Sequence, residues 1–175
     1  MRPAAFLDRD GVLNVDRGYA HRLEELELMP NAGAAIGLLN RAGYAVVIVT
    51  NQSGIARGFF TERDMHCFNA LLLARLAQRG GAIDAVYFAP HHPEGIVPRY
   101  TADHPDRKPH PGMLLRAFHE LPITRSGSFL IGDRDTDMAA ATAAHIPGYF
   151  FPGGDLYAFV ETILSGRAKA FRSVA

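Results

Sequence analysis

Four short stretches of this chain carry residue types suited to holding cations and oxyanions: "DRDG" at 8–11, "TNQS" at 50–53, "RK" at 107–108 and "GDRDTD" at 132–137. Side chains alternate along an extended chain, so Asp8 and Asp10 should point the same way and Arg9 elsewhere. Two carboxylates that close are costly unless a cation sits with them. Gly11 lets the chain turn immediately afterwards. A capped turn is the plainer reading of the same four residues, because Asp and Gly are common in turns. Thr50, Asn51, Gln52 and Ser53 offer hydroxyls, amides and backbone N–H groups, a set that suits a phosphate and also an ordinary polar turn. Asp133, Asp135 or Asp137 could complete a Mg²⁺ site of hard oxygen ligands with Asp8 and Asp10, although Asp135 reads better as the cap of a following helix. Of 18 cationic side chains only Lys108 and Lys169 are lysines. A compact ammonium suits one phosphate oxygen where a guanidinium forks across two, so Lys108 beside Arg107 is a candidate phosphate ligand, with a flexible surface lysine as the plainer alternative.

These stretches need elements to hold them, and the hydrophobic pattern supplies them. "AAFL" (4–7), "AVVIVT" (45–50), "AVYF" (85–88), "SFLIG" (128–132) and "GYFF" (148–151) are short apolar runs rich in β-branched or aromatic residues. Their near-continuous hydrophobicity fits strands buried on both faces. Helical stripes lie between them at 31–42, with Asn31 as N-cap and Gly43 as stop, and at 61–79 behind the capping-box-like "TERD". Shorter helices are expected at 111–121 and 135–145, and one capped by Asp155 near 156–166. Strand–helix alternation means an α/β fold: an open, mainly parallel sheet with helices on both faces. Ligands of such sheets sit at the carboxyl ends of the strands, which is where the first, second and fourth stretches fall.

The chain of 175 residues is expected to form one domain, 1–175, with an ordered loop at 89–110 and a frayed tail at 167–175. Its 18 basic and 18 acidic residues cancel, and no basic block points to nucleic acid or an anionic membrane. No apolar run reaches the roughly 20 residues of a membrane span, and the charged N-terminus is unlike a signal peptide. One cysteine, Cys67, leaves no disulfide framework. The expectation is a soluble cytoplasmic monomer with a small-molecule ligand.

Taken together, DxDG after the first strand, Thr after the second, Lys before a helix and GDxxxD after the fourth resemble the haloacid dehalogenase superfamily of phosphatases, over nearly the whole chain. "FLDRDGVLNVDRGYAHR", "VTNQSGIARGFF", "PHHPEG" and "RKPHPGMLL" are similar to the heptose-bisphosphate phosphatase family within it, which makes an intermediate of the lipopolysaccharide heptose precursor. "IGDRDTDM" looks more like the related histidinol-phosphate phosphatases. The resemblance implies a Rossmann-like fold and an aspartyl-phosphate mechanism, with Asp8 as nucleophile and Asp10 as acid and then base. It implies Mg²⁺ between the Asp8 carboxylate, the Asp10 backbone carbonyl and Asp133, and phosphoryl contacts from Thr50 and Lys108. By the same similarity Asp16, Arg17, Gly18, Tyr19, Asn51, Gln52, Ser53, Arg107 and Arg134 would touch substrate, with Arg107 suited to a second, distal phosphate. About 25 residues follow the first strand before a helix, and about 35 separate strands two and three, mostly helix. No cap domain fits there, so an open site is expected.

The family resemblance also bears on "APHHPEGIVPRYTADHPD" (89–106). The heptose-bisphosphate phosphatases usually hold a structural zinc in this loop through a Cys-x-His … Cys-x-Cys pattern. Here the cysteine positions are Ala89, His104 and Asp106, and only His91 matches. His91, His104 and Asp106 could form a three-ligand site, but a closed structural zinc normally has four ligands, usually with thiolates. No structural zinc is expected. Prolines at 90, 93, 98 and 105 offer order by restricting the unfolded chain, and His91 is expected to hydrogen-bond His104 or Asp106.

The favoured function is removal of the 7-phosphate from a heptose 1,7-bisphosphate. The alternatives are a histidinol-phosphate or other small phosphosugar phosphatase, and a catalytically dead phosphosugar-binding relative. Retention of Asp8, Asp10, Thr50, Lys108 and Asp133 together argues for the enzyme.

Overall fold

A computed structural model describes residues 1–166 and 168–170. The tail expected at 167–175 lies largely outside the described residues.

Five parallel strands form one sheet in the order β3-β2-β1-β4-β5: β1 (Arg2–Leu7), β2 (Ala45–Asn51), β3 (Ala85–Ala89), β4 (Ile123–Gly132) and β5 (Gly148–Phe150). The helices between and after them are α1 (Ala32–Arg41), α2 (Glu62–Ala77), α3 (Gly112–Glu120), α4 (Asp135–Ala143) and α5 (Leu156–Leu164). Alternation along the strands divides the core. Ala5, Leu7, Val46, Ile48, Phe129 and Ile131 face one side and pack against α1, α2 and α5. Ala4, Phe6, Val47, Val49 and Leu130 face the other and pack against α3 and α4. Both faces are covered, which is why each strand reads as a continuous apolar run.

The chain leaves β1 for β2 and β3 on one side, then returns to β4 and β5 on the other. This places a topological switch point at the carboxyl end of β1. Residues 8–31 fold back over that end as a small flap. Val15 donates its backbone N–H to Glu27 and Met29 donates to Leu13, both at 2.9 Å, and Val12, Leu13, Ala20 and Leu26 bury their side chains in the core. Among the described residues this flap contains only one turn of 3₁₀ helix, Leu23–Glu25, and no second sheet.

Three local expectations change. β4 begins at Ile123, five residues before its apolar run, because Ile123 and Thr124 pair with Arg2 and Pro3. The exposed Arg125 and Ser126 and the register shift that follows hide this from the hydrophobic pattern. Asn31 precedes α1 in the left-handed region (φ 57°), but its amide donates to Asp155 Oδ2 at 2.7 Å instead of capping the helix. Asp135 is the first residue inside α4, not its cap. The Arg134 backbone N–H donates instead to Asp137 Oδ2 at 3.0 Å. Thr61 and Asp155 cap α2 and α5 as expected.

Candidate active site

The carboxyl ends of β1, β2 and β4 converge on a cavity of about 320 Å³. Asp8 still belongs to the ladder, since its N–H donates to Ile131 O at 2.9 Å, so its carboxylate is held by the sheet itself. Lys108 reaches it from the loop before α3. The ammonium is buried 3.0 Å from Asp8 Oδ1 and 2.6 Å from Asp137 Oδ1, and donates to Val49 O at 2.8 Å. Asn51 exchanges two hydrogen bonds with the Lys108 backbone, at 2.9 and 3.0 Å, which ties that loop to the end of β2.

Burial pushes the Asp8 carboxyl up to about 7, against the pull of Lys108 and with a further push from Asp137 and Asp10. Burial acts against the Lys108 ammonium too, yet Asp8 and Asp137 together hold it above the usual lysine value. Two carboxylates thus share one ammonium, which leaves the cluster short of positive charge. Burial and then Asp137 also raise Asp133. Its Oδ1 is buried with no hydrogen-bond partner. Carboxylate oxygens of Asp8, Asp133 and Asp137 all lie within 4.8 Å of one another. A hard divalent cation fits this donor set and would satisfy the orphaned Asp133 oxygen. Glycines make the room: a Cβ on Gly11 (φ +85°) would stand 2.0 Å from Asp133 Oδ2, and one on Gly132 would stand 2.2 Å from the Asp137 Cβ.

Asp10 is a neighbour of a different kind. Asn14 donates to its Oδ1 at 2.9 Å and Gln52 to its Oδ2 at 3.0 Å. Arg9 was expected to point elsewhere, but it folds back and donates to both Asp10 oxygens. The irregular backbone after Leu7 breaks the alternation on which that expectation rested.

Asp16, Gly18, Tyr19, Asn51, Ser53 and Arg107 line the cavity walls, and Arg134 joins them with its guanidinium 2.7 Å from Asp16 Oδ2. Two expected residues are not on the walls. Arg17 pairs with Glu27 on the outer side of the flap, where both side chains are about half exposed. Thr50 is fully buried, and its hydroxyl accepts from Gln52 at 2.8 Å.

The chain matches the "HAD-hyrolase-like" family model over residues 106–155. It is 48% identical over 169 residues to D-glycero-beta-D-manno-heptose-1,7-bisphosphate 7-phosphatase of Rhodopseudomonas palustris, covering 97% of this chain and 94% of that one. The chain belongs to this family of heptose-bisphosphate phosphatases. It is 45% identical over 144 residues to the same-named protein of Escherichia coli K12, covering 82% and 75% of the two chains. Among solved structures, D,D-heptose 1,7-bisphosphate phosphatase from B. bronchiseptica, complexed with magnesium and phosphate, superposes with a TM-score of 0.83 at 30% identity, over 95% of this chain and 99% of that one.

Membership sharpens the view of two places. Asp137 anchors Lys108; from the sequence it reads only as one of three possible Mg²⁺ ligands, and its place as the last residue of GDxxxD does not show that it holds the lysine. In the 89–106 segment the candidate ligands His91, His104 and Asp106 do not come together here. Among the described residues, Asp8, Asp133 and Asp137 are the group of three whose ligand atoms converge; His91, His104 and Asp106 are not. The His91 and His104 rings stack 3.9 Å apart at 6° instead of hydrogen-bonding, and His91 Nδ1 has no partner. His104 Nδ1 accepts from the Asp106 backbone N–H, while the Asp106 carboxylate lies 2.6 Å from Arg116. In this arrangement the three side chains present no shared set of converging ligand atoms.

Proposed function

We propose that the chain is a Mg²⁺-dependent phosphomonoesterase that removes the 7-phosphate of D-glycero-β-D-manno-heptose 1,7-bisphosphate. One observation carries this reading: a buried carboxylate and a single ammonium, Asp8 and Lys108, lie at the base of a cavity whose walls carry the guanidinium groups of Arg107 and Arg134. The base suits the reacting phosphate and the walls suit a second, non-reacting one, which a bisphosphate supplies. The relatives' names support the sugar and its β anomer, at 45–48% identity.

A carboxylate oxygen of Asp8 attacks the 7-phosphorus, and the bond from phosphorus to the sugar oxygen breaks. The Asp10 carboxyl gives its proton to that oxygen, so the sugar leaves as the alcohol. Water then attacks the aspartyl-phosphate, its proton passes to Asp10, and the Asp8–phosphorus bond breaks to release inorganic phosphate. Lys108 holds a phosphoryl oxygen throughout, and Asp137 holds Lys108. Thr50 contributes its hydroxyl once Gln52 turns toward substrate. Asp8, Asp133 and the Asp10 backbone carbonyl would hold Mg²⁺, which supplies charge neutralisation between the anionic nucleophile and the anionic phosphate.

The 89–110 segment keeps its shape without zinc in this reading, held by its stacked histidines, its prolines and the Asp106–Arg116 pair. Charged sugar phosphates do not cross membranes unaided, so enzyme and substrate share the cytoplasm. The cavity takes its walls from one chain's own loops, which suits a monomer.

The test is kcat/KM with Mg²⁺ for both anomers of the heptose bisphosphate and for histidinol phosphate, side by side. The β anomer is expected to lead. A higher value for histidinol phosphate would reverse the assignment, and no turnover of any of the three would reduce the chain to a binding relative.

A further inference from the structure

Arg9 is fully buried, and it is the largest fully buried side chain in the described residues. Taking a guanidinium out of water costs several kcal/mol unless every donor is matched. Here the fork is spent in three directions. Nε lies 3.1 Å from Asp10 Oδ2, and one terminal nitrogen lies 2.9 and 3.1 Å from the two Asp10 oxygens. That same nitrogen donates to Ala20 O in the flap at 3.0 Å, and the other donates to Asn69 Oδ1 in α2 at 3.0 Å. The guanidinium carbon stands 4.6 Å from the centre of the Phe68 ring.

We infer that Arg9 is the positioning residue for Asp10, setting the direction in which its carboxyl faces the leaving oxygen. The inference rests on the proposed mechanism, in which Asp10 moves the proton. A carboxylate three residues past a strand end has free rotation about two side-chain bonds. The planar fork removes it, because two nitrogens engage the carboxylate plane at once. Asn14 and Gln52 engage the remaining lone pairs from the flap and from the loop after β2. Gln52 also donates to Thr50 and lines the cavity, so it is the partner that can give way to substrate, while Arg9, buried behind Asp10, stays. The fork is anchored on α2 rather than on the site, so the direction of Asp10 is fixed before substrate arrives. Among the described residues no cap domain is present to bring the acid into place.

The reading separates from a purely structural role through the leaving group. Expelling a sugar alkoxide needs the proton from Asp10, whereas expelling p-nitrophenolate does not. kcat/KM covers the steps up to loss of the leaving group and excludes the later attack of water, for which Asp10 serves both substrates. Arg9→Lys keeps the charge and loses the fork. It is expected to lower kcat/KM about 100-fold on the heptose bisphosphate and less than roughly threefold on p-nitrophenyl phosphate, the size of effect lost when a general acid is misplaced. kcat should fall on both. Asn69→Ala removes only the far anchor, and should show the same asymmetry at smaller size. It carries the comparison should Arg9→Lys fail to fold, as judged by circular dichroism. Equal losses of kcat/KM on the two substrates, or no loss in a folded Arg9→Lys protein, would overturn the inference while leaving the proposed function standing. Wild-type protein that cleaves p-nitrophenyl phosphate but no sugar phosphate would overturn both.

Discussion

At the scale of single residues, the site is a cluster of acids with too few cations. Lys108 is divided between Asp8 and Asp137, and Arg9 is committed to Asp10. Asp8→Asn removes the proposed nucleophile without changing its shape, so turnover should vanish in a steady-state assay while the circular dichroism spectrum is unchanged. A substantial remaining fraction of wild-type turnover would rule out an aspartyl-phosphate. Among the described residues Arg107 pairs with no carboxylate, and it donates to His91 O at 3.3 Å, which leaves its charge available at the cavity wall. Arg107→Ala should therefore raise KM for the bisphosphate roughly 10- to 100-fold, the value of one charge-assisted hydrogen bond, with kcat nearly unchanged. An equal fall in kcat would place Arg107 at the reacting phosphate instead. Most of these residues could be named from the sequence because their types are unusual at strand ends. Arg9 could not. An arginine between two aspartates reads as an outward alternate, and only the departure from extended geometry after Leu7 turns its fork onto Asp10.

At the scale of elements, the 89–110 loop delivers Arg107 and Lys108 and must be rigid to do so. The Asp106–Arg116 pair joins it to α3, and the Tyr100 hydroxyl donates to Glu62 of α2 at 2.7 Å. Protein purified without metal supplements should contain no stoichiometric zinc by elemental analysis, and a chelator should cause no loss of stability that Mg²⁺ fails to restore. Near-stoichiometric zinc would show that the two histidines open their stack to hold it. Arg116→Ala should cost only about 1 kcal/mol in a denaturant melt, because half of the Arg116 side chain is exposed and solvent screens the pair. The strands and helices themselves were legible because both faces of the sheet are buried, so each strand is a clean apolar run. The first half of β4 was not, since Arg125 and Ser126 interrupt the run where the strand shifts register past Pro3. The histidine stack was not legible either. Ring stacking depends on how the two ends of the loop close on each other, and residue type alone equally permits hydrogen bonding or metal binding.

At the scale of the molecule, the parallel sheet concentrates carboxylates at one edge, and that concentration should be measurable as lost stability. Asp8 titrates near 3.8 in an unfolded chain and is pushed up to about 7 in the fold, chiefly by burial. The folded protein therefore holds a proton between those values that the unfolded chain has released. With folded pKa above unfolded pKa, the contribution is complete below about 4, declines as pH rises, and is gone above about 7. As far as this group decides it, metal-free wild-type protein should accordingly melt lower at pH 8 than at pH 5. Asp8→Asn should melt higher than wild type in chelator at pH 8, by about 1 kcal/mol or roughly 2–4 °C for a chain of this length. In the proposed reading Mg²⁺ binds only the folded arrangement of Asp8 and Asp133, so at 100 times its dissociation constant it should stabilise wild type by about 2.7 kcal/mol. It should do much less for Asp8→Asn, which lacks a ligand. Thermal melts of both proteins at pH 5 and pH 8, each with chelator and with Mg²⁺, check the whole pattern. Equal melting temperatures for the two proteins in chelator at pH 8 would mean that Lys108 and Arg9 already balance the cluster, and that the sheet edge carries no stored repulsion for the metal to relieve.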